Sequence, residues 1–390
     1  MPSTGAFHAC LLGSDGSVIA RGNHAGAKCD IPELEVGEKY VSVSVGGLIT
    51  VLLRSNGSIA VCGLVETLPG VRQYMPPIFV PGVTYTQISA GDDHWAAICS
   101  DGTAYATDGG QNAWGRCTVP RLPAGVTYTQ VAAGGGHTVL LRSDGGVLAI
   151  GADESGQCRI PELPADLIYT GIAAGWCSTG LILSDGMAII VDDETDLYGS
   201  GVPALIDGEC YVEIACGYQH VALLRNDGIA LAIGQNMGGQ CDIPVLPEGA
   251  TYTQVSANGN ATLLLRSDGV VVALGSEEGY RFDFPIFPPN VHAVPIPRTP
   301  RDFVVQLQFE VVSLGDGWSD IAQATCRNVG GHVLASWEVT NPMAQVHASV
   351  RLQLQPTWCR IQVVLPDQRL LNATATWFDL RHYLRDAGLD

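Results

Sequence analysis

A turn triplet that recurs seven times at nearly constant spacing constrains the fold of this chain more than any other feature. The triplet is Ser-Asp-Gly or a close variant, and successive copies lie 41 to 45 residues apart. Its central residues are Asp15, Asn56, Asp101, Asp144, Asp185, Asp227 and Asp268. Asp-Gly and Asn-Gly pairs favour the left-handed backbone angles of tight hairpin turns. Each copy therefore predicts two short antiparallel strands joined by a turn.

Two other markers keep their distance from the triplet. A segment such as KCDIP or QCRIP, which ends in proline, follows it, and a segment such as YTQVAAG precedes it. In the fullest copy the pattern predicts strands at 128–133, 137–142, 147–150 and 158–161. Four short strands in each repeat of roughly 42 residues are typical of one propeller blade. The repeats thus predict an all-β, seven-bladed β-propeller with four-stranded blades.

The frame of the repeat also predicts how the ring closes. The chain begins inside a repeat, with Gly5 at the turn that precedes a second strand, so the first blade lacks an opening strand. Residues 290–296 align with 249–255 and are expected to supply that strand. Prolines 295 and 297 weaken this segment as a strand, because proline cannot donate to the ladder. Residues 303–309 are an alternative donor.

The repeat resembles that of the regulator of chromosome condensation. The shared pattern is G-x-x-H-T-x-x-L-x-S-D-G-x-V-x-A-x-G-x-x-x-x-G-Q, and the resemblance covers residues 5–296. The G-Q-C-x-I-P ending is similar to that of propeller-type β-lactamase inhibitory proteins. Propellers of this family serve as exchange factors, inhibitors, ligase accessory domains and light sensors. The resemblance therefore implies a fold more specifically than a function.

Two family activities fit this sequence poorly. Exchange activity on a small GTPase is associated with an inserted wedge hairpin, and the even spacing of the repeats leaves no room for one. The plant ultraviolet-B photoreceptor uses clustered tryptophans, whereas this chain has only Trp176 at the corresponding place, with Trp95 and Trp114 elsewhere. Direct DNA contact has no support either, because the basic tail of the founding member is missing.

After residue 302 the repeat stops, and we predict a second domain over 303–390. Its expected elements are strands at 303–314 and 332–340, a segment at 345–355 that fits either a helix or a strand, a strand–turn–strand at 359–371, and a helical tail at 376–388. This order resembles a ubiquitin-like β-grasp interrupted near 315–331. The predicted organisation is a propeller over 1–302 followed by a small α+β domain.

Charge limits the choice of partners. The formal net charge is −19, and most of the excess acid lies in the first 302 residues. Such a surface repels nucleic acid and anionic membranes and attracts basic proteins, although acidity also simply keeps a protein dispersed. The chain shows no secretory signal and no apolar run near the ~18 residues of a membrane span. We expect a soluble, monomeric protein of the cytoplasm or nucleus.

The chemistry-bearing residues are accounted for by the repeat. Its histidine occurs as His8, His94, His137 and His220 and is replaced elsewhere by Ile49, Ser178 and Ala261, which favours packing between blades over a metal ring. Four cysteines also fall at one repeat position, and no C-x-x-C pair exists. Hydrolase and phosphate-loop motifs are missing. The sequence predicts no enzyme, with no catalytic residue, cofactor or metal.

Two classes of function remain open from the sequence. The first is a non-catalytic interaction scaffold, in which a propeller face binds a protein and the tail adds a second contact linked to ubiquitin or small-GTPase regulation. The second is a regulatory propeller that acts as an exchange factor or as a stoichiometric inhibitor. Interface cores favour aromatic residues over most charged ones. The candidate partner-binding residues are those that depart from the repeat: Asp92, Asp93, Trp95, Trp114, Trp176, Tyr218 and Tyr280.

Overall fold

Seven three-stranded antiparallel sheets follow one another along the described part of the repeat region. A computed structural model describes residues 2–63, 82–108, 112–192 and 201–275 with their side chains, together with the backbone of five strands between 301 and 371. Blades 1 to 4 contain β1 (Pro2–Thr4), β2 (His8–Leu12), β3 (Val18–Gly22), β4 (Tyr40–Val45), β5 (Ile49–Arg54), β6 (Ile59–Gly63), β7 (Tyr85–Ala90), β8 (Trp95–Cys99), β9 (Ala104–Thr107), β10 (Tyr128–Ala133), β11 (His137–Arg142) and β12 (Val147–Gly151). Blades 5 to 7 contain β13 (Tyr169–Ala174), β14 (Thr179–Leu183), β15 (Ala188–Val191), β16 (Tyr211–Cys216), β17 (His220–Arg225), β18 (Ala230–Gly234), β19 (Tyr252–Asn258), β20 (Ala261–Arg266) and β21 (Val271–Gly275). Short 3-10 turns form at Ala25–Ala27 and Ala113–Gly115.

The middle strand of each blade is buried on both faces. In β11, for example, Val139 and Leu140 are fully buried although their side chains point to opposite sides of the sheet. The first strand β10 instead alternates buried and half-buried positions. A strand that is covered on both faces reads as a continuous apolar run. The apolar middle strands therefore place the core between neighbouring blades.

The prediction of a fourth strand is wrong in the blades whose proline marker lies wholly within the described residues, at 28–32, 116–120, 157–161 and 240–244. Residues 158–161 form turns and an extended loop, because local groups occupy their backbone instead of a ladder. The Ile160 N–H donates to the Cys158 carbonyl at 3.0 Å, and the Cys158 N–H donates to Asp153 Oδ1 at 3.0 Å. The hydroxyl of Tyr169 donates to the Pro161 carbonyl at 2.6 Å. The same bond, eight residues apart, joins Tyr40 to Pro32, Tyr128 to Pro120, Tyr211 to Pro203 and Tyr252 to Pro244. The proline marker thus anchors a loop to the next blade.

The first blade possesses the opening strand that the repeat frame predicted it to lack. β1 pairs antiparallel with β2, and the Thr4 N–H donates to Ser256 Oγ of blade 7 at 3.3 Å. Ala9 packs with Ala261 and Leu263 across the same junction. Blade 1 therefore closes the ring directly against blade 7. The predicted donor 290–296 lies outside the described residues, and the alternative donor 303–309 belongs to a different sheet.

That second sheet has five strands in the order β24-β23-β22-β25-β26. They are β22 (Arg301–Val311), β23 (Ile321–Arg327), β24 (Val333–Glu338), β25 (Cys359–Val364) and β26 (Leu370–Leu371). β22 and β25 are parallel, and the other pairs are antiparallel. β23 lies where an insertion was predicted. The segments 345–355 and 376–388 fall outside the described residues, and the β-grasp assignment stays a prediction.

The chain divides into two compact units. The first comprises residues 1–162 and 168–296, and the second comprises 163–167 and 297–390. The predicted boundary between residues 302 and 303 stays a prediction. The strand β22, which opens the second sheet along the chain, begins at Arg301, two residues before it.

Each blade of the propeller has two distinct ends. At one end, which we call the DG end, the Asp-Gly triplets form the predicted turns: Asp144 Oδ1 accepts from the Gly146 N–H at 3.2 Å, and Gly145 adopts φ +82°. At the other end, the first and second strands are joined by turns of two to four residues. We call this the GxxH end, and we use the term GxxH loop for the four-residue repeat segment that contains each turn, namely residues 5–8, 46–49, 91–94, 134–137, 175–178, 217–220 and 258–261.

Candidate functional site: the GxxH end of the propeller

A chain of backbone hydrogen bonds fixes the loops of the GxxH end. In blades 2 to 5, the N–H of the second loop residue donates to the carbonyl of the first loop residue in the next blade. The Asp92 N–H, for example, reaches the Gly134 carbonyl at 3.1 Å, and the Trp176 N–H reaches the Gly217 carbonyl at 3.1 Å. A Cβ on Gly134 would lie 2.3 Å from the carbonyl oxygen of Gly175, so this position requires glycine. The side chains of the second and third loop residues therefore project from a rigid ring.

The repeat histidines lie between blades, which confirms the packing interpretation. In each case Nε2 is within hydrogen-bond distance of a threonine hydroxyl in the next blade: His8–Thr50 at 2.6 Å, His94–Thr138 at 3.0 Å, His137–Thr179 at 2.9 Å and His220–Thr262 at 2.9 Å. All four rings are fully buried. Burial lowers the pKa of His8 and His94 to about 3 and that of His137 and His220 to about 4. These imidazoles are neutral near pH 7 and join the blades.

A buried arginine organises the GxxH end at blade 3. Arg116 is 3% exposed, and its guanidinium contacts Asp93 Oδ1 at 2.6 Å and Asp108 Oδ2 at 3.2 Å. It also donates to the Gly135 carbonyl of blade 4 at 3.4 Å. Burial acts to lower the pKa of Arg116, but the hydrogen bonds and charges of Asp93 and Asp108 raise it above its usual value. The guanidinium therefore stays charged and ties the loops of two blades together.

Asp92 lies half-buried beside this network. A Cβ on Gly47 of blade 2 would lie 1.7 Å from Asp92 Oδ1, so the carboxylate packs directly against that backbone. Burial, reinforced by the like charge of Asp93, raises the pKa of Asp92 to about 6, against the opposing effect of Arg116 and Lys28. Asp92 is ionised at neutral pH and becomes protonated in mild acid.

Blades 5 and 6 present an aromatic pair. The rings of Trp176 and Tyr218 lie 4.8 Å apart between centroids, tilted by 58°. Trp176 remains 42% exposed, and its ring covers the neighbouring loop, where a Cβ on Gly135 would lie 2.9 Å from Trp176 Cε3. The absence of a side chain at Gly135 is what admits the indole.

A second exposed indole lies on the other side of that loop. Trp114 is 62% exposed and has φ +55°, a left-handed conformation that is strained for a non-glycine residue. The guanidinium carbon of Arg116 lies 5.9 Å from its ring centroid. A Cβ on Gly136 would be 3.8 Å from Trp114 Cε3 and Cζ3. The loop of blade 4 is thus flanked by tryptophans from two directions.

The predicted residues do not all reach this surface. Asp92, Asp93, Trp114, Trp176 and Tyr218 lie at the GxxH end, on blades 3, 5 and 6 and on the loop that follows blade 3. Trp95 is fully buried, with Tyr85 and Tyr105 at 6.1 Å and 5.5 Å between centroids, because it occupies the interblade position held elsewhere by threonine. A buried indole offers no surface to a partner, which corrects its inclusion. Tyr280 lies outside the described residues.

Sequence reasoning missed Arg116, Asp108 and the glycine pair of blade 4. A signal for Arg116 does exist in the repeat. The residue before the marker cysteine is glutamine at Gln157 and Gln240, and both are buried with Oε1 accepting from an N–H two residues earlier at 2.9 Å. A cation at this position must find carboxylates, because a buried charge requires compensation.

Neither a metal-binding cluster nor a membrane-spanning helix occurs in the described parts of the chain. No group of three or more histidine, cysteine, aspartate or glutamate side chains there is arranged to hold a metal ion. No helix in those parts is long and apolar enough to cross a membrane.

Comparison with known protein families identifies one of the repeats. Residues 128–157 match the model of the regulator of chromosome condensation (RCC1) repeat. No curated protein sequence matches the chain significantly. Residues 128–157 therefore contain an RCC1 repeat, which is the repeat that the sequence resemblance indicated.

Solved structures support the fold. Prp20p from Saccharomyces cerevisiae, described with its binding to Gsp1p and histones, is similar with 17% identity and a TM-score of 0.54 over 71% of this chain and 82% of that one. Human WBSCR16 is similar with 17% identity and a TM-score of 0.54 over 71% and 86%. The CRINKLY WD40 ectodomain of the Arabidopsis thaliana receptor kinase ACR4 shows 16% identity and a TM-score of 0.52 over 73% and 97%. At such identities the likeness establishes the propeller fold alone.

Proposed function

We propose that this protein is a non-catalytic interaction scaffold whose GxxH end binds a protein partner. The observation that carries the proposal is the grouping of exposed aromatic side chains at one end of the ring. Trp114 and Trp176 are 62% and 42% exposed, and the ring of Tyr218 packs against that of Trp176. Aromatic residues surrounded by polar groups are the usual anchors of protein interfaces.

The partner surface is proposed to be basic. Asp92 and Asp93 lie at the same end as the indoles, and the whole chain carries a net charge of −19. Complementary charge speeds association and selects among partners more than it adds affinity. Raising the salt concentration should therefore weaken capture without abolishing it, because the aromatic contacts are not screened.

The test is affinity capture with the full chain as bait, followed by identification of the bound proteins. Trp114→Ala/Trp176→Ala should lose the proteins enriched by the unaltered chain. Met187→Ala is the matched control, because Met187 is also exposed (58%) but lies at the DG end. The proposal fails if the tryptophan variant retains every partner, or if Met187→Ala loses the same ones.

The alternative proposal is that the same surface regulates the activity of an enzyme. An exchange factor for a small GTPase should accelerate nucleotide release from a captured GTPase at sub-stoichiometric amounts, whereas an inhibitor should act only at stoichiometric ones. A scaffold should do neither.

The second unit is proposed to add a contact of its own, linked to ubiquitin or small-GTPase pathways, and capture with a chain that ends at residue 302 tests that contribution.

A further inference from the structure

Blade 4 contributes no side chain at the second and third loop positions of the GxxH end. Its second and third loop residues are Gly135 and Gly136, where blade 3 has Asp92 and Asp93 and blade 5 begins with Trp176. We propose that the exposed faces of Trp114 and Trp176, on either side of this glycine loop, form a notch that binds one cationic side chain, lysine or arginine, of a basic partner segment. The inference deepens the proposed function and rests on it.

The walls of the notch are two indoles that approach the glycine pair. Trp176 Cε3 would lie 2.9 Å from a Cβ on Gly135, and Trp114 Cε3 would lie 3.8 Å from a Cβ on Gly136. A Cβ on Gly136 would also lie 3.0 Å from the Ala152 Cβ, so neither glycine position is open space. Because both residues are glycine, the two indoles lie beside backbone on either side of the loop, and their exposed faces form the walls.

Both indoles are held in place before any ligand arrives. Tyr218 supports Trp176 at 4.8 Å between centroids. Trp114 is presented by a left-handed backbone, in a loop where Asn112 Nδ2 donates to Thr118 Oγ1 at 2.7 Å and Asn112 Oδ1 accepts from the Cys117 N–H at 2.8 Å. Backbone strain that surrounding contacts maintain is typical of ligand-binding positions.

The charge around the notch favours a cation. The described loop residues 91–94, 112–117 and 152–159, with Asp108, carry the carboxylates of Asp92, Asp93, Asp108, Asp153 and Glu154 against the guanidinium groups of Arg116 and Arg159. Arg116 contacts two of these carboxylates and Arg159 contacts Asp153 at 3.3 Å, so both cations are already compensated. Lys28, which acts on Asp92, adds a third cation, so five carboxylates face three cations and the local field is negative.

The chemistry of the walls points to the same ligand. The π face of tryptophan attracts lysine and arginine cations, and more strongly where water is excluded. An acidic side chain would be repelled both by the π faces of the indoles and by the excess carboxylates. An uncharged aliphatic side chain could contact the indoles but would gain nothing from the field.

The probe is fluorescein-labelled octalysine, with octa(Nε-acetyllysine) as its uncharged counterpart. Fluorescence anisotropy at 150 mM salt measures the Kd of each for the full chain. We expect binding of octalysine but not of the acetylated peptide. Trp114→Ala and Trp176→Ala should each raise the Kd for octalysine by about threefold to tenfold. The tryptophan-to-phenylalanine variants should keep most of the affinity, and Met187→Ala should leave it unchanged.

Two results would overturn the notch. Equal affinity of both peptides would show that charge is not recognised, and an unchanged Kd in both tryptophan-to-alanine variants would show that octalysine follows the bulk acidity. Either result can coexist with tryptophan-dependent capture of a natural partner. In that case the proposed scaffold function is supported and the cationic notch is refuted. Since both indoles are exposed, unchanged thermal midpoints of the variants confirm that folding is not the cause.

Discussion

Replacing Arg116 with glutamine tests the buried ion network of the GxxH end. Glutamine occupies this position of the repeat at Gln157 and Gln240, and each accepts a local N–H there, so the loop keeps a suitable side chain. The carboxylate of Asp108, which is 2% exposed, would nevertheless lose its ion pair. Removing one partner of a buried pair costs about 3 to 5 kcal/mol, because the other charge loses its counter-ion; the Ala113 N–H, which donates to Asp108 Oδ2 at 3.2 Å, places the loss toward the lower end of that range. We expect Arg116→Gln to reduce the free energy of unfolding by about that amount.

The assay is urea unfolding at pH 7, followed by tryptophan fluorescence. The double variant Asp108→Ala/Arg116→Gln also removes the buried carboxylate that lost its ion pair. It should recover more than half of the lost free energy of unfolding. An Arg116→Gln variant within about 0.5 kcal/mol of the unaltered chain would refute the reasoning. A double variant no more stable than Arg116→Gln alone would do so as well.

Three further predictions concern other parts of the ring. Burial lowers the pKa of His137 to about 4, so the folded state holds the imidazole proton less readily than the unfolded chain. The stability that this histidine contributes is complete above pH ~6.5 and falls by roughly 2 to 3 kcal/mol as the pH drops to 4.5, so urea midpoints should fall less steeply with pH in His137→Gln. Gly46→Ala should prevent folding, because its Cβ would lie 1.7 Å from the Gly91 carbonyl oxygen. Gly82→Ala is the control: Gly82 has φ +94° but open space around it, so this substitution should cost only about 1 kcal/mol by thermal melting. Similar melting midpoints for the two variants would contradict the close contact at Gly46. Burial raises the pKa of Asp92 to about 6, so the affinity for octalysine should fall between pH 7.5 and 5.5, and an equal fall in Asp92→Asn would assign it to other groups.

The number of blades was predictable because every repeat contains the same turn. Asp-Gly pairs determine local backbone angles wherever they occur, so seven triplets became seven hairpins. The fourth strand was not predictable from residues 158–161 alone. Whether an extended segment pairs with a strand depends on what else satisfies its backbone, and here Tyr169 and Asp153 do so. The opening strand Pro2–Thr4 lay outside the repeat and carried no marker.

The histidine contacts could have been found from the sequence. Wherever a repeat has histidine, the following repeat has threonine one position further on, at Thr50, Thr138, Thr179 and Thr262. Where histidine is missing, the next repeat has Trp95, Val221 or Ala9 instead of threonine. This correspondence marks Trp95 as an interblade residue, which explains its burial. The notch was harder to predict, because Gly135 and Gly136 look like ordinary turn residues in the sequence. Only the structure shows which side chains of other blades lie beside them.

Hydrogen exchange on the full chain, alone and with a captured partner, tests the central claim most directly. Protection on binding should appear in the loops 91–94, 112–117, 134–137 and 175–178, which carry or flank the acidic and aromatic residues of the GxxH end. The DG turns of the same blades should exchange at unchanged rates. Protection confined to the DG turns, with the GxxH loops unaffected, would contradict the account and move the interaction surface to the opposite end of the propeller.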